Sequence, residues 1–188
     1  MDTTVVIIVI AVIVALAIAA AAWIYLRKRR SEALRSRFGP EYDRLVEQEN
    51  DRRRAEAILE QREKRIERLN IRPLTAEERE QYAQAWLQEQ ALFVDHPQEA
   101  VANADRLVTE VMKVRGYPMG DFEQRAEDIS VNYPAVVEHY RIAHAIALRD
   151  MRGEANTEDL RKAMLHYRML FEELLEHYYI AEPQEVRR

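Results

Sequence analysis

The side chains best suited to chemistry come in a repeated tripeptide, His139-Tyr140-Arg141 and His166-Tyr167-Arg168. The apolar phase around the two copies also matches, pairing Val136 with Ala163, Val137 with Met164, Ala143 with Leu170 and Leu148 with Leu175. Two helices packed in that register could bring His139, Tyr140, His166 and Tyr167 to one interface as a small polar site. The plainer explanation is two amphipathic helices of equal phase, since Tyr and His commonly sit at the edge of a helical core.

Other spacings give less. Bundles that bind two metal ions use Glu-x-x-His because residues three apart on a helix reach the same ion, and no histidine here has Glu three residues before it. His139 and His144 are about 140° apart around a helix and do not converge. Glu173 and His177 share a face, but a lone pair of this kind is a surface contact. The chain has no cysteine, and its serines, at 31, 36 and 130, lie in no nucleophile motif. There is neither a Gly-rich phosphate loop nor a His-Glu-x-x-His helix. The acidic group Asp121, Glu123, Glu127 and Asp128 reads as the solvated, N-terminal charge of a short helix. The sequence therefore assigns no catalytic, cofactor-binding or metal-ligating residue.

The elements that would position these residues hang from Val5 to Leu26, VVIIVIAVIVALAIAAAAWIYL, which contains no charge, amide, Gly or Pro. As a helix it is about 33 Å long, enough to cross a hydrocarbon core of about 30 Å. Its backbone must be satisfied internally in lipid, so the β-branched run at its start is expected to be helical. Trp23 and Tyr25 fall at the interface, followed directly by Arg27, Lys28, Arg29 and Arg30, with Arg35 and Arg37 beyond. This basic flank predicts a short external N-terminus at residues 1–4 and a cytoplasmic C-terminus, at the inner membrane of a bacterial cell. A cleaved signal peptide, with Ala19 to Ala22 as the cleavage region, is the alternative; the missing basic n-region, the long apolar run and the basic cluster after it argue against it.

Gly39-Pro40 predicts a break at the end of the juxtamembrane segment 27–40. From Glu41 to Leu69 the apolar positions are sparse, and a heptad through Tyr42, Leu45, Leu59 and Ile66 would put Glu49, Arg52, Glu56 and Glu63 in the seam. That excludes a self-sufficient coiled coil, so self-association is not strongly encoded, and it predicts a charged, solvated stalk helix over 41–70, docked at its far end. Residues 71–180 predict a bundle of about five helices. Thr75 and Glu78 form a capping box, Gly116 a C-terminal cap, and Asp121 and Thr157 further N-caps. The last helix carries the stripe Leu160, Ala163, Met164, Tyr167, Leu170, Phe171, Leu174, Leu175 and Tyr178. Residues 181–188 read as a frayed tail. No β-alternating run occurs, so the predicted fold is all-α.

The net charge of -5 is divided unevenly: residues 27–70 carry 14 basic and 10 acidic side chains, residues 71–188 carry 14 and 22. An acidic distal domain is a poor match for nucleic acid, which is bound largely by neutralising phosphates. The segments RSRFGPEYDR (35–44), NIRPL (70–74), RGYPMGDFEQRAEDISV (115–131) and TEDLRKAMLHYRMLFEELL (157–175) resemble those of an uncharacterised bacterial family of single-span, membrane-anchored helical proteins, described as hypothetical or secreted. The resemblance implies the architecture and brings no functional residue with it. The expected partners are the lipid bilayer and another protein at the membrane, and the expected function is a membrane-tethered interaction module. An enzyme or small-ligand receptor at the Tyr/His interface, or an exported domain released by cleavage, are the alternatives.

Overall fold

The computed structural model describes residues 3–176, with side chains from residue 10 onward. Eight helices and no strand occur among the described residues: α1 Thr3–Phe38, α2 Pro40–Glu49, α3 Arg52–Glu67, α4 Ala76–Asp95, α5 Pro97–Arg115, α6 Phe122–Asn132, α7 Val137–Met151 and α8 Thr157–Leu174. The protein is all-α. The frayed tail expected at 181–188, Tyr178 of the last stripe, and the first two residues of the external N-terminus lie outside the described residues.

Two environments divide α1. From Ile10 to Leu26 its large apolar side chains are exposed, whereas Ser31, Leu34 and Phe38 are buried in the protein core. Gly39, at φ 48°, ends the helix in a conformation that favours glycine, and Pro40 begins α2, where its missing amide proton costs nothing.

The region expected to be one solvated stalk is two helices folded into the core. Asn50 takes the left-handed conformation (φ 52°) at the end of α2, and the Asp51 carboxylate accepts a bond from the Arg53 backbone N–H to start α3. Each residue does what its type favours, Asn tolerating positive φ and Asp capping a helix. The result is a hairpin that buries Tyr42, Leu45, Ala55, Leu59 and Ile66 against α1 and α6. Two of the charges that rule out a coiled coil, Glu63 and Glu56, instead make contacts with α1 and α2, Glu63 with Arg37 and Glu56 with Ser31 and Tyr42, and Glu60 beside them contacts Arg30.

Helices α4 to α8 form the five-helix bundle, with α4 packed on α5, α7 on α8, and α5 against α8. The Thr75–Glu78 capping box forms with both its bonds. At the start of α8 the cap is Asn156, paired reciprocally with Asp159, one residue before the expected Thr157. Asn156 accepts from the Asp159 N–H, three residues on, which leaves Thr157 as the first helical residue. Gly116 (φ 100°) closes α5, and a Cβ there would stand 2.7 Å from the Asn70 carbonyl oxygen. Trp86 stacks on Phe171 at 4.7 Å between ring centroids in the interior. On α7 the buried face takes in Ile146, while Leu148, expected inside, is 37% exposed.

Candidate functional site

The repeated tripeptides do meet. Helices α7 and α8 bring the Nδ1 atoms of His139 and His166 to 2.8 Å with their rings stacked, and set the Tyr140 and Tyr167 rings edge to face at 6.4 Å. A bond between two ring nitrogens requires one to donate and the other to accept, so the pair accommodates at most one shared proton at that contact. Burial and the neighbouring His139 both lower the pKa of His166.

Deeper in, the Tyr167 hydroxyl donates to Asp105 Oδ1 at 2.9 Å, His144 Nδ1 lies 3.8 Å from the same oxygen, and Arg125 donates to the Tyr140 hydroxyl at 3.2 Å. Burial pushes the Asp105 carboxyl up, but the contacts with His144 and Tyr167 outweigh it and hold it below its usual value. The Tyr167 hydroxyl is pushed upward by burial and by Asp105, and the Tyr140 hydroxyl by burial. Neither tyrosine has any exposed surface. These hydroxyls therefore hold helices together and offer a substrate no direct access. Phe122 covers His144 with stacked rings at 3.7 Å.

A stronger electrostatic centre lies where the hairpin meets the bundle. The Glu41 side chain is 1% exposed and accepts from three guanidinium groups: Arg44 at 3.0 and 3.1 Å, Arg62 at 2.9 Å, and Arg141 at 2.7 and 2.9 Å. Burial acts to raise its pKa, but the hydrogen bonds and charges of Arg44 and Arg141 prevail and hold it at about 2. Arg62, itself buried, also donates to Glu127, and Arg65 reaches both Glu127 and the fully buried Asp128. Burial raises the Asp128 pKa against the pull of Arg65. Thus Glu127 and Asp128, expected on a solvated face, are anchor points of α3 on α6; Asp121, expected as a cap, does cap α6 through the Gln124 N–H.

The sequence reading missed this hub because Glu41 is explained locally, as an acid in the first turn of α2. Its decisive partner is 100 residues away, in the first tripeptide. The only local clue is a proline-started helix with an acid beside Pro40, and that pattern is too common to point to Arg141.

Where the apolar run of α1 ends, Arg27 lies over the Trp23 ring at 5.3 Å and Lys28 approaches Glu32 at 4.0 Å. Tyr25 and Arg29 are exposed, Arg30 contacts Glu60, Arg35 pairs with Asp43 at 3.2 Å, and Arg37 contacts Glu63. The collar residues Arg30, Arg35 and Arg37 therefore join α1 to the hairpin as well as carrying positive charge. No family model matches the chain, and no curated protein or solved structure matches it.

Proposed function

We propose that this chain is a single-pass membrane protein whose basic collar and helical bundle lie on the cytoplasmic face of a bacterial inner membrane, where the bundle is a protein-interaction module. The observation that carries the reading is the continuity of α1. One 36-residue helix has exposed apolar side chains through Leu26 and then core residues at Leu34 and Phe38. Its apolar part has a mean hydropathy of 2.2 and is long enough to cross a membrane. An exposed apolar surface of this extent calls for lipid or a partner around it, and the basic flank supports the cytoplasmic side for the bundle.

A groove between α4 and α8 supports the interaction role. It is lined by Trp86, Phe93, Met164 and Leu165, with Arg161 and Arg168 among its polar lining, and encloses about 130 Å³. Val94 and Met169 add exposed apolar surface on the same two helices. Anchoring confines that groove near the membrane and raises its effective concentration for partners there.

The test exchanges residues 1–26 for an unrelated N-out apolar span and keeps Arg27 onward, so that the α1 core residues Leu34 and Phe38 stay in place. Proteins cross-linked to the native chain should be retained after the exchange and lost when Leu165 is changed to Glu. Partners that follow the native span would contradict the reading, and a soluble product beginning near Ala22 would favour an exported domain.

A further inference from the structure

The hairpin turns back toward the end of the apolar run, and so carries a second group of cations there. Arg52 Nε donates to Tyr42 Oη and Glu56 Oε1, each at 2.9 Å, and its Nη2 contacts Ser31, which fixes the start of α3 beside the α1 turn that follows Arg27 and Lys28. Arg53 next to it is exposed, while Arg54 pairs with Glu49 at 2.9 Å. Between the two helices lies a cleft of about 280 Å³ lined by Trp23, Ile24, Arg27, Lys28, Ser31, Arg52 and Glu56.

The cleft has two chemistries in a fixed order. Trp23 and Ile24 belong to the last turns of the apolar run, and Arg27, Lys28 and Arg52 come immediately beyond them. Its one carboxylate, Glu56, is already engaged by Ser31, Tyr42 and Arg52, leaving positive charge in excess. The Arg52 Nη1 group has no protein partner among the described residues. Arg27 is held against an aromatic face and, among the described residues, by no carboxylate.

We infer that this cleft is a binding site for an anionic phospholipid of the leaflet into which α1 runs, its phosphate between Arg27, Lys28 and Arg52 and an acyl chain along Trp23 and Ile24. The inference rests on the membrane-anchor reading above. A basic collar alone attracts acidic lipid diffusely; the new element is Arg52, brought from a separate helix to close the site. Guanidinium groups suit phosphate oxygens because they present paired donors in a plane.

The experiment uses the full chain reconstituted in phosphatidylcholine vesicles containing phosphatidylglycerol, with bromine on the acyl chains of one lipid or the other. Bromine quenches Trp23 on contact, whereas Trp86 is buried in the protein and gives a constant background. Brominated phosphatidylglycerol should quench more than brominated phosphatidylcholine at equal mole fraction. Arg52→Gln should lower that preference about fivefold, as expected for one cation at the surface. Lys28→Gln should lower it too without touching the Ser31–Tyr42–Glu56 contacts, so a misfolded Arg52 variant would not decide the matter. Arg29→Gln, which removes the same charge outside the cleft, should change it much less.

Equal quenching by the two lipids, or an Arg29 variant as impaired as the other two, overturns the site while leaving the anchor intact. A chain that does not float with the vesicles, or whose Trp23 neither lipid quenches, overturns the anchor and the site with it.

Discussion

At the scale of single residues, one carboxylate carries more of the tertiary structure than any of the residues suited to chemistry. Glu41 is buried among three arginines from α2, α3 and α7, and a buried charge deprived of one partner is costly. Arg141→Gln should therefore destabilise the full chain by about 1–3 kcal/mol in denaturant unfolding, Arg44 and Arg62 still holding the carboxylate, and by clearly more than Arg161→Gln, whose pair with Glu158 is half-exposed. Acid should act through the same residue. The Glu41 pKa falls from an ordinary 4.5 to about 2 in the folded protein, so on acidification the unfolded chain takes up the proton first. Its contribution is complete above about pH 4.5 and is lost as pH falls toward 2, a loss of about 3 kcal/mol. Asp128, with its pKa raised by burial, works in the opposite direction and recovers part of that. Glu41→Gln should be less stable at neutral pH and should show a flatter stability profile between pH 5 and about 2.5; a profile as steep as that of the unaltered chain would remove Glu41 from the account.

At the scale of elements, the helices with a continuous apolar stripe were legible because burial of one face is written at a spacing of three and four. All the α8 stripe residues from Leu160 to Leu175 are buried, and Leu170→Ala should cost about 2–5 kcal/mol. The hairpin was not legible by that rule. Its core positions are few, and its stabilising contacts are ion pairs to residues distant in sequence, which have no period. The break itself was written, as Asn50 followed by Asp51, but a stop and a start that adjoin look like two ordinary polar residues in a charged helix. Because Asn50 lies at φ 52°, Asn50→Gly should leave stability within a few tenths of a kcal/mol, whereas Asn50→Val should cost about 1–2 kcal/mol. Equal effects of the two substitutions would mean that α2 and α3 are not joined by this turn. The sequence left the tripeptide pairing open beside a coincidence of phase, and in the structure its third member does the most: Arg141 reaches Glu41, while Arg168 contacts Glu172 on its own helix.

At the scale of the whole molecule, these contacts join the apolar helix directly to the bundle. A solvated stalk would let the bundle swing, whereas α1 runs into the core and is clasped by α2 and α3, which the Glu41 hub ties to α6 and α7. The bundle should therefore keep a set height and orientation relative to the end of the apolar run, which under the proposed anchoring would place the α4–α8 groove reproducibly at the membrane. The central claim is that the apolar helix spans the membrane with the bundle inside, and the chain's lack of cysteine makes a direct measurement simple. Single cysteines at Asp2 and at the exposed Glu154 are labelled with a membrane-impermeant maleimide in bacterial spheroplasts, before and after permeabilisation. The account predicts that Asp2→Cys is labelled in sealed spheroplasts and that Glu154→Cys is labelled only once they are opened; labelling of Glu154→Cys in sealed spheroplasts would contradict it.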